Sequence, residues 1–251
     1  MCAAPEPVRN DDAAWDRWPV QQYLAENYRV LHSVDAAVIR HHSAFYRRFA
    51  PGGAGRCLEF GAGPNLYPLM LAGAAARLID AVEVSRAGVA YLTRQLEQGP
   101  DASWLPFYAL CRELDPALPA TLPEALARVR VVHGDVRAVP TGTYDLASMN
   151  FVAESVTEDA DEFAALCRVF IGAVRPGGRL VAAFMENMPS YRIGDSPLWP
   201  GYPVDAAAVE AVFAPHTASL RVTRIARDPS LPDYGDTGMV LLTAARPTAG
   251  G

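Results

Sequence analysis

The fold is decided by the stretch Cys57-Leu58-Glu59-Phe60-Gly61-Ala62-Gly63-Pro64-Asn65-Leu66-Tyr67. Residues 56–60 are typical of a short buried strand, and the apolar run that begins at Leu66 predicts a helix. The two glycines therefore lie on a strand-to-helix turn, as at the start of a doubly wound, mostly parallel α/β sheet. Because glycine lacks a Cβ, the backbone of this turn can approach a ligand closely.

A second motif follows twenty residues after Gly63, where Glu83 ends the apolar run Leu78-Ile79-Asp80-Ala81-Val82. A carboxylate at the end of the second strand of such a sheet can accept hydrogen bonds from the hydroxyl groups of a ribose. The glycine turn and this acidic residue together predict a nucleoside-binding site at the carboxyl ends of the strands.

The kind of nucleoside is indicated by the residues of the turn. A dinucleotide-binding turn has a third glycine where this chain has Leu66, which leaves less room for a pyrophosphate. Glu59 stands just before the turn, where a carboxylate repels a pyrophosphate and attracts a cation. S-adenosyl-L-methionine carries a ribose, an ammonium group and a sulfonium. We therefore predict that it is the cofactor.

The composition fits a single enzyme-sized globular unit. The chain has 251 residues, of which 51% are hydrophobic, and a formal net charge of −6, which argues against nucleic acid or an anionic membrane as partner. No apolar run approaches the ~20 residues that cross a bilayer, and the N-terminus does not resemble a secretory signal. The four cysteines are scattered. We expect a cytoplasmic protein without a metal, a monomer or homodimer that acts on a small molecule.

Strand and helix patterns alternate after a helical preface. We predict a disordered tail (1–14), an N-terminal helical lid (15–50) and a core (51–251) with a helical insertion at about 101–128. The expected strands are 56–60, 78–82, 129–133, 144–149, 179–184, 221–227 and 238–244, and the expected core helices are 86–97, 162–174 and 205–213.

Two later strand ends extend the predicted cofactor site. Asp135 follows the strand at 129–133, where its carboxylate can accept a hydrogen bond from an adenine amine. Val136 can then offer its backbone N–H to a ring nitrogen. Asn150 follows the strand at 144–149, at the edge of the sheet where ligands bind.

Five pieces of the chain together carry a family resemblance. They are Tyr23-Leu24 with Tyr28, the turn 61–67, Trp104, Arg175-Pro176-Gly177-Gly178, and Ser190-Tyr191-Arg192-Ile193-Gly194. With them the chain resembles the class I S-adenosylmethionine-dependent methyltransferases, and more narrowly the nicotinamide, phenylethanolamine and thioether methyltransferase family. The resemblance runs from about Trp15 to the C-terminal strand. It implies a Rossmann-like sheet of seven mostly parallel strands with an antiparallel last strand.

The resemblance also implies roles for individual residues. Tyr23 and Tyr28 would close over the methionine end of the cofactor, and Tyr67 would contact its carboxylate. By the same match, Glu83 holds the ribose, Asp135 and Val136 hold the adenine, and Asn150 contacts the amino-acid or sulfonium side. The full set of predicted cofactor-binding residues is Tyr23, Tyr28, Glu59, Gly61, Gly63, Asn65, Tyr67, Glu83, Val84, Gly88, Asp135, Val136, Asn150 and Phe151.

Glu154 and Tyr28 are the predicted catalytic residues. Glu154 matches an acidic position that contacts the substrate amine in amine-methylating relatives. One helical turn beyond Asn150, its carboxylate could face the same cleft and orient an amine or take its proton. The alternative is that Glu154 belongs to the acidic run at 158–162, which is typical of a solvated face.

The chain departs from the family pattern on the acceptor side. Nicotinamide-type relatives have a carboxylate at the end of the fifth strand, where this chain has Phe184, and amine-type relatives have an acidic residue where this chain has Met188. These residues disfavour nicotinamide and adrenaline-like amines and favour a larger aromatic acceptor. The predicted acceptor-binding residues are Glu154, Phe184, Glu186, Asn187, Met188, Tyr191, Trp199, Tyr234 and Asp236, with Met185 beside them.

We therefore predict that a methyl group is transferred to a nitrogen of a small aromatic or heteroaromatic molecule by in-line displacement, in a bacterial small-molecule pathway. The alternatives are an O- or C-methyltransferase, a non-catalytic module that binds S-adenosylmethionine or a nucleotide, and an NAD-dependent dehydrogenase. The dehydrogenase is disfavoured by Leu66 and by the absence of lysine from the sequence, which rules out a Tyr–Lys catalytic pair.

Overall fold

The computed structural model describes residues 6–248, which form a seven-stranded sheet with helices on both faces. The strands are β1 (Ala54–Phe60), β2 (Ala76–Glu83), β3 (Val129–His133), β4 (Tyr144–Asn150), β5 (Val174–Glu186), β6 (Ala218–Ala226) and β7 (Gly238–Ala245). The α-helices are α1 (Val20–Asn27), α2 (Ser33–Tyr46), α3 (Tyr67–Ala72), α4 (Arg86–Gln98), α5 (Leu105–Leu114), α6 (Leu122–Leu126), α7 (Ala160–Ala173) and α8 (Ala206–Phe213).

The strand order across the sheet is β3-β2-β1-β4-β5-β7-β6. β1 pairs in parallel with β2 and β4, and the pairs β2–β3 and β4–β5 are also parallel. β7 is antiparallel to both β5 and β6. The strand order reverses between β1 and β4, so a crevice opens at their carboxyl ends. The predicted fold class is confirmed, and each predicted strand overlaps an observed one.

The central strands of the sheet, β1, β2 and β4, are largely buried on both faces, as expected for central parallel strands. Successive side chains of a strand point to opposite faces. On β1, Cys57 packs with the layer that contains α2, α3, α5 and α6, whereas Leu58 packs with α7 and α8. On β5, Ala183 and Met185 face the first layer and Phe184 faces the second. This alternation decides which side chains of β5 can reach the crevice.

Residues 6–14 pack against the segment around the start of α7. The Val8 N–H donates to Glu158 Oε2 (3.0 Å), and the Asn10 N–H donates to Glu162 Oε2 (3.1 Å). The prediction of a disordered tail is therefore wrong for this part, because these carboxylates supply acceptors for its backbone. The remainder of that predicted tail, residues 1–5, lies outside the described residues.

The predicted lid, residues 15–50, divides into two parts. α1 and the 3₁₀ turn Trp15–Arg17 both contact α4. α2 contacts α3, α5 and the strands β5, β6 and β7, and its Val38 and Ile39 are fully buried. α2 is therefore built into the core, whereas α1 lies over the carboxyl edge of the sheet and supplies several of the cavity residues described below.

The segment at 101–128 contains α5 and α6, which both pack on α3. Trp104 is buried at the start of α5, and its Nε1–H donates to the Tyr91 hydroxyl on α4 (2.8 Å). Thr121 and Glu124 form a capping box at the N-terminus of α6. Within residues 6–248, no helix is long and apolar enough to cross a membrane.

Asp80 joins four neighbouring strands through one buried carboxylate. Its Oδ1 accepts from Arg130 Nε on β3 (2.8 Å), and its Oδ2 accepts from the Tyr144 hydroxyl on β4 (3.2 Å) and from Arg56 on β1. The Asp80 side chain is 1% exposed, whereas both arginines reach solvent.

We expect Asp80→Ala to lower the free energy of unfolding by about 2 kcal/mol, since a hydrogen bond to a charged group contributes roughly 1.5–3 kcal/mol and both arginines can be resolvated. Urea unfolding followed by circular dichroism measures this change. Asp195→Ala, in an exposed loop, is the matched control and should change the free energy by less than about 0.5 kcal/mol. Equal effects of the two substitutions would contradict the assigned role of Asp80.

Candidate active site

A cavity lies at the carboxyl ends of β1, β2, β4 and β5, between α1 and the loop that precedes β7. The predicted site residues that line it are Tyr23, Tyr28, Gly61, Gly63, Asn65, Glu83, Val84, Gly88, Asp135, Val136, Asn150, Phe151, Met188, Tyr191, Tyr234 and Asp236. The predicted site residues that are not part of its lining are Glu59, Tyr67, Glu154, Phe184, Glu186, Asn187 and Trp199.

Gly61 and Gly63 both adopt the left-handed conformation, with φ values of 69° and 52°. A Cβ on Gly61 would lie 2.6 Å from Cγ1 of Val152, so a larger residue would clash there. Apart from Gly63 itself and its two chain neighbours, no residue of the described chain has an atom within 4 Å of the position that a Cβ on Gly63 would take. Gly63 thus presents bare backbone to the open cavity.

Glu83 ties the turn after β1 to the turn after β2. Its Oε2 accepts a hydrogen bond from the Gly63 N–H (2.8 Å), and its Oε1 accepts one from the Ser85 N–H (2.7 Å). Burial raises the pKa of Glu83, and these backbone donors oppose the shift. A Cβ on Gly88 would lie 3.0 Å from Glu83 Cγ, so Gly88 leaves room for this side chain. Each carboxylate oxygen has a second lone pair for a ribose hydroxyl.

The predicted adenine contacts lie at the β2–β3 end of the cavity. The Asp135 carboxylate accepts from the Arg137 N–H (2.7 Å) and from Arg137 Nε (2.9 Å). The Arg137 guanidinium holds the pKa of Asp135 below its usual value. The structure thus places an ionised acceptor beside the apolar side chains of Val84 and Val136. That combination suits an aromatic base with an exocyclic amine.

Three side chains and one backbone N–H form a hydrogen-bond chain beneath α1. The Tyr23 and Tyr28 hydroxyls are 3.2 Å apart, Asn65 Nδ2 donates to the Tyr28 hydroxyl (3.1 Å), and the Tyr67 N–H donates to Asn65 Oδ1 (3.2 Å). Tyr67 is fully buried, and its hydroxyl has no hydrogen-bond partner among residues 6–248. Burial raises the pKa of Tyr28 well above its ordinary value. Tyr28 therefore stays a neutral phenol, which can position a ligand but cannot act as a general base.

Glu59 lies one layer behind the cavity. It is 2% exposed and accepts hydrogen bonds from the Ser148 hydroxyl and from Asn150 Nδ2 (2.9 Å). Burial raises the pKa of Glu59 to about 7. Asn150 does line the cavity, and its Oδ1 has no partner in the described part of the chain. The structure thus gives Glu59 a positioning role: it fixes the amide of Asn150 rather than facing a ligand itself.

The other end of the cavity, towards β5 and β7, is lined mainly by aromatic, thioether and aliphatic side chains. Tyr191 and Tyr234 meet edge to face with ring centroids 6.1 Å apart, and Asn27 Nδ2 donates to the Tyr234 hydroxyl (2.9 Å). Burial raises the pKa of Asp236, against the opposing effect of Arg227. The large side chains here are Trp18, Tyr23, Phe151, Met185, Met188, Tyr191, Leu231, Tyr234 and Met239.

Phe184 points away from the cavity. It packs against Phe163 and Phe213, with ring centroids 6.2 Å and 6.0 Å apart, on the face of the sheet covered by α7 and α8. The alternation along β5 brings Met185 to the cavity instead. The specificity argument based on Phe184 is therefore wrong. Of the two departures from the family pattern, Met188 alone lines the cavity.

Three other predicted acceptor residues are structural. Glu186 forms an ion pair with Arg224 and accepts from the Thr237 hydroxyl (2.7 Å). Asn187 Nδ2 donates to Thr237 Oγ1 (3.0 Å), which also fixes the loop before β7. Trp199 stacks on Trp15 with ring centroids 5.3 Å apart. These contacts hold the walls of the cavity in place, and the predicted direct contacts with an acceptor are not supported.

Glu154 is buried behind Met185. Its Oε1 accepts from the Met185 N–H (2.8 Å), and its Oε2 lacks a partner among the residues described. Burial raises the pKa of Glu154 to about 8. Both sequence interpretations are wrong, since Glu154 is neither solvated nor in the cavity wall. The reason is local: the chain turns at Phe151 (φ 58°) and forms no helix before Ala160, so Glu154 is not one helical turn beyond Asn150.

Sequence reasoning missed several cavity residues. The wall also contains Asn10, Trp15, Trp18, Asn27, Val34, Asp35, Ser155, Arg227 and Asp228. Trp18 precedes the tyrosine signature and Asn27 lies within it, so their position next to Tyr23 and Tyr28 was an available signal. Asp35 gave no such signal, because its neighbours have the apolar spacing of a core helix.

The residues present fit S-adenosyl-L-methionine. Glu83 and Asp135 supply acceptors for ribose and adenine, the Tyr28 hydroxyl in the cavity wall can donate to a carboxylate, and the unpartnered Asn150 Oδ1 can accept from an ammonium group. Within residues 6–248, no three His, Cys, Asp or Glu side chains are grouped so that they could hold a metal ion.

A seven-stranded sheet of this order with such a nucleoside site defines the S-adenosylmethionine-dependent methyltransferases as the class. The chain belongs to the NNMT/PNMT/TEMT family, whose family model matches residues 6–246. It is therefore an enzyme that uses S-adenosyl-L-methionine to methylate a small molecule.

Solved structures share the fold at low sequence identity. DhpI in complex with S-adenosylhomocysteine (SAH) is 18% identical, with a TM-score of 0.58 and 94% of each chain covered. The N-methyltransferase NodS from Bradyrhizobium japonicum WM9, in complex with SAH, is 11% identical, with a TM-score of 0.56 and 92% of this chain and 94% of that one covered. The 1,6-didemethyltoxoflavin-N1-methyltransferase of Burkholderia thailandensis, with bound 1,6-didemethyltoxoflavin and SAH, is 19% identical, with a TM-score of 0.52 and coverages of 98% and 93%. A search of curated proteins gives no match.

We expect Glu83→Gln to weaken SAH binding about tenfold or more, because an amide cannot accept at both of its terminal atoms and one backbone contact or ribose contact is lost. Isothermal titration calorimetry measures the affinity. Glu97→Gln makes the same change at an exposed position of α4 and should leave the affinity unchanged. Unaltered binding in Glu83→Gln, or tighter binding of NAD than of SAH by the unmodified protein, would contradict the cofactor site.

We expect Glu154→Gln to reduce the loss of stability with rising pH. The pKa of Glu154 is raised in the folded state to about 8, so the folded protein binds more protons than the unfolded chain between about pH 4.5 and pH 8. The free energy of unfolding therefore falls as pH rises through this range, and the variant lacks this contribution. Urea unfolding at about pH 5 and pH 8 compares the two slopes. A steeper fall in the variant would contradict the assignment.

Proposed function

We propose that this enzyme transfers the methyl group of S-adenosyl-L-methionine to a nitrogen atom of a small aromatic or heteroaromatic molecule. The observation that carries the proposal is the combination of aromatic and thioether walls with acidic groups at the acceptor end. Asp35, Asp228 and Asp236 line the cavity. The one arginine among its lining residues, Arg227, lies 3.8 Å from Asp236 and 3.5 Å from Asp233.

Charge separates a nitrogen acceptor from an oxygen acceptor. A neutral nitrogen gains positive charge as it is methylated, and carboxylates and aromatic faces stabilise that charge. A phenolate acceptor begins as an anion, which an acidic cavity disfavours. The charge of the walls therefore supports nitrogen transfer over the O- and C-methyltransferase alternatives. Two of the similar structures are described as an N-methyltransferase and an N1-methyltransferase, which agrees with this choice.

The main task of the protein is to position the reactants. When bound, S-adenosyl-L-methionine supplies a methyl group on a sulfonium, whose C–S bond breaks as the nitrogen lone pair forms the new N–C bond. Glu83 and Asp135 hold the nucleoside end, while Tyr28 and Asn65 hold the amino-acid end. Such placement contributes ~7–11 kcal/mol to the lowering of a barrier. A neutral nitrogen needs no general base for the attack, so the burial of Glu154 away from the cavity is no obstacle.

Two hydrogen bonds attach the loop before β7 to the N-terminal helices. Asn27 Nδ2 on α1 donates to the Tyr234 hydroxyl (2.9 Å), and the Ser33 hydroxyl at the start of α2 donates to Asp228 on the same loop (2.5 Å). These contacts hold the lining residues Asp228 and Tyr234 at the acceptor end of the cavity.

The matched pair 1-naphthylamine and 1-naphthol tests the choice of atom, with nicotinamide as a smaller acceptor. The purified enzyme is incubated with deuteromethyl-labelled S-adenosyl-L-methionine, and the products are identified by mass spectrometry and NMR. We expect the label on the naphthylamine nitrogen. The rate of methylation of the naphthol should be at least about tenfold lower, as the loss of one charge interaction predicts. Faster labelling of the naphthol oxygen, a preference for nicotinamide, or SAH binding without transfer to any acceptor would overturn the proposal.

A further inference from the structure

Asp35 is a buried carboxyl group in the cavity wall, and its own contact with the acceptor has not yet been assigned. It is 4% exposed, and its Oδ2 has no hydrogen-bond partner anywhere in the described chain. An unpaired buried polar group costs roughly 1–3 kcal/mol, and more when it is charged. A group of this kind that lines a cavity is a candidate for contact with a ligand.

Its position in the helix explains only part of this arrangement. Asp35 is the third residue of α2, where an acidic side chain commonly interacts with the helix N-terminus. Burial raises the pKa of Asp35 to about 7, the N–H of His32 opposes the shift, and the charge of Asp228 adds to it. The position of Asp35 at the N-terminus of α2 therefore explains its interaction with the backbone of His32, but it leaves Oδ2 without a partner.

The location of Asp35 connects the cofactor site to the acceptor end. α2 contacts β5, β6 and β7, whereas the nucleoside residues Glu83 and Asp135 belong to β2 and the end of β3. The charge of Asp35 also raises the pKa of Tyr28 and of Tyr67, so it lies near both. Asp35 thus lines the cavity near the tyrosines of the amino-acid end, on a helix that also contacts β5 and β7.

We propose that Asp35 positions the methyl acceptor: its Oδ2 accepts a hydrogen bond from an N–H or ammonium group of the acceptor and holds that molecule for transfer. The inference rests on the proposed nitrogen transfer and narrows its substrate class to aromatic or heteroaromatic molecules that carry an N–H donor. Asp35 does not remove the methyl group or accept it, so it is a positioning residue. Arg227 is already paired with Asp233 and Asp236, which leaves Asp35 free for a ligand.

Matched ligands test the proposal on the unmodified protein. The probes are 1-naphthylamine with 1-methylnaphthalene, and 4-aminoquinoline with 4-methylquinoline; within each pair a methyl group replaces the amino group. Their affinities are measured by isothermal titration calorimetry on protein saturated with SAH, so that no turnover occurs. We expect each amine to bind about tenfold or more tightly than its partner, as one hydrogen bond to a charged group predicts. Equal binding within both pairs, or no binding of either amine, would overturn the inference.

The variant Asp35→Asn assigns the preference to this residue. We expect the amine preference to fall below about threefold while the affinity for SAH stays within about twofold. Asp195→Asn, the same change in an exposed loop, should keep the full preference. The melting temperature of Asp35→Asn should equal or exceed that of the unmodified protein, because the substitution removes an unpaired buried acid. A lower melting temperature with the amine preference intact would identify Asp35 as structural.

Other outcomes separate this inference from the proposed function. If Asp35→Asn weakens SAH binding and leaves the amine preference, Asp35 contacts the cofactor and the inference fails. If the unmodified enzyme methylates 1-naphthylamine but Asp35→Asn keeps the amine preference, the proposed function stands and the inference fails. If the amine preference depends on Asp35 but the label never reaches nitrogen, the binding role stands and the proposed reaction fails.

Discussion

The site depends on the two backbone hydrogen bonds accepted by the Glu83 carboxylate. β1 and β2 are neighbouring parallel strands, and each ends in a turn with free N–H groups. Glu83 takes one N–H from each turn, from Gly63 and from Ser85, and so fixes the distance between the two turns. Burial alone would favour the protonated acid, and the backbone donors are what stabilise the carboxylate there. Gly61 and Gly88 are required by the same arrangement, because a side chain on either would collide with Val152 or with Glu83. A single buried carboxylate thus shapes the nucleoside end before any ligand binds.

The acceptor end is shaped by different constraints, which are backbone geometry and strand alternation. The chain turns at Phe151 at the end of β4 and forms no helix before Ala160, so Glu154 lies beneath β5, where the Met185 N–H satisfies one of its oxygens. Along β5, alternation brings Met185 to the cavity and buries Phe184 among the phenylalanines of α7 and α8. Neighbouring positions in the sequence therefore have unrelated roles here. Comparing this chain with its family position by position cannot detect this difference, because the comparison concerns residue types and says nothing about where each side chain points.

The sequence predicted the fold and the nucleoside end well, because their signals are local. Each strand is a short apolar run, and Glu83, Asp135 and Asn150 are the polar residues that end or follow such runs at the edge where parallel strands meet. The acceptor end is not local, since α1, α2 and the loop before β7 come together there only through tertiary packing. Residues 6–14 show the same limit: their composition is that of a disordered tail, and their order depends on carboxylates about 150 positions further along the chain. Asp35 was missed for a related reason, since apolar neighbours at helical spacing predict burial and give no sign that one carboxyl oxygen lines a cavity.

Besides Glu83, three buried carboxyl groups with raised pKa values lie in or beside the cavity, and their environments give them different chemistry. Both oxygens of Glu59 accept hydrogen bonds from side chains, so its environment is complete within the protein. Glu154 keeps an unpaired oxygen, but its pKa of about 8 means that it is mostly neutral at pH 7, and it lies behind the backbone of β5, out of reach of a ligand in the cavity. Asp35 has a pKa of about 7 and is therefore close to the balance between acid and carboxylate at neutral pH. A ligand that donates an N–H or carries a positive charge would favour its carboxylate form, and binding would be linked to loss of the proton. Of the three, Asp35 alone combines access to the cavity with a charge state that a nitrogen ligand can change, and this combination is what distinguishes a recognition group from a buried structural acid.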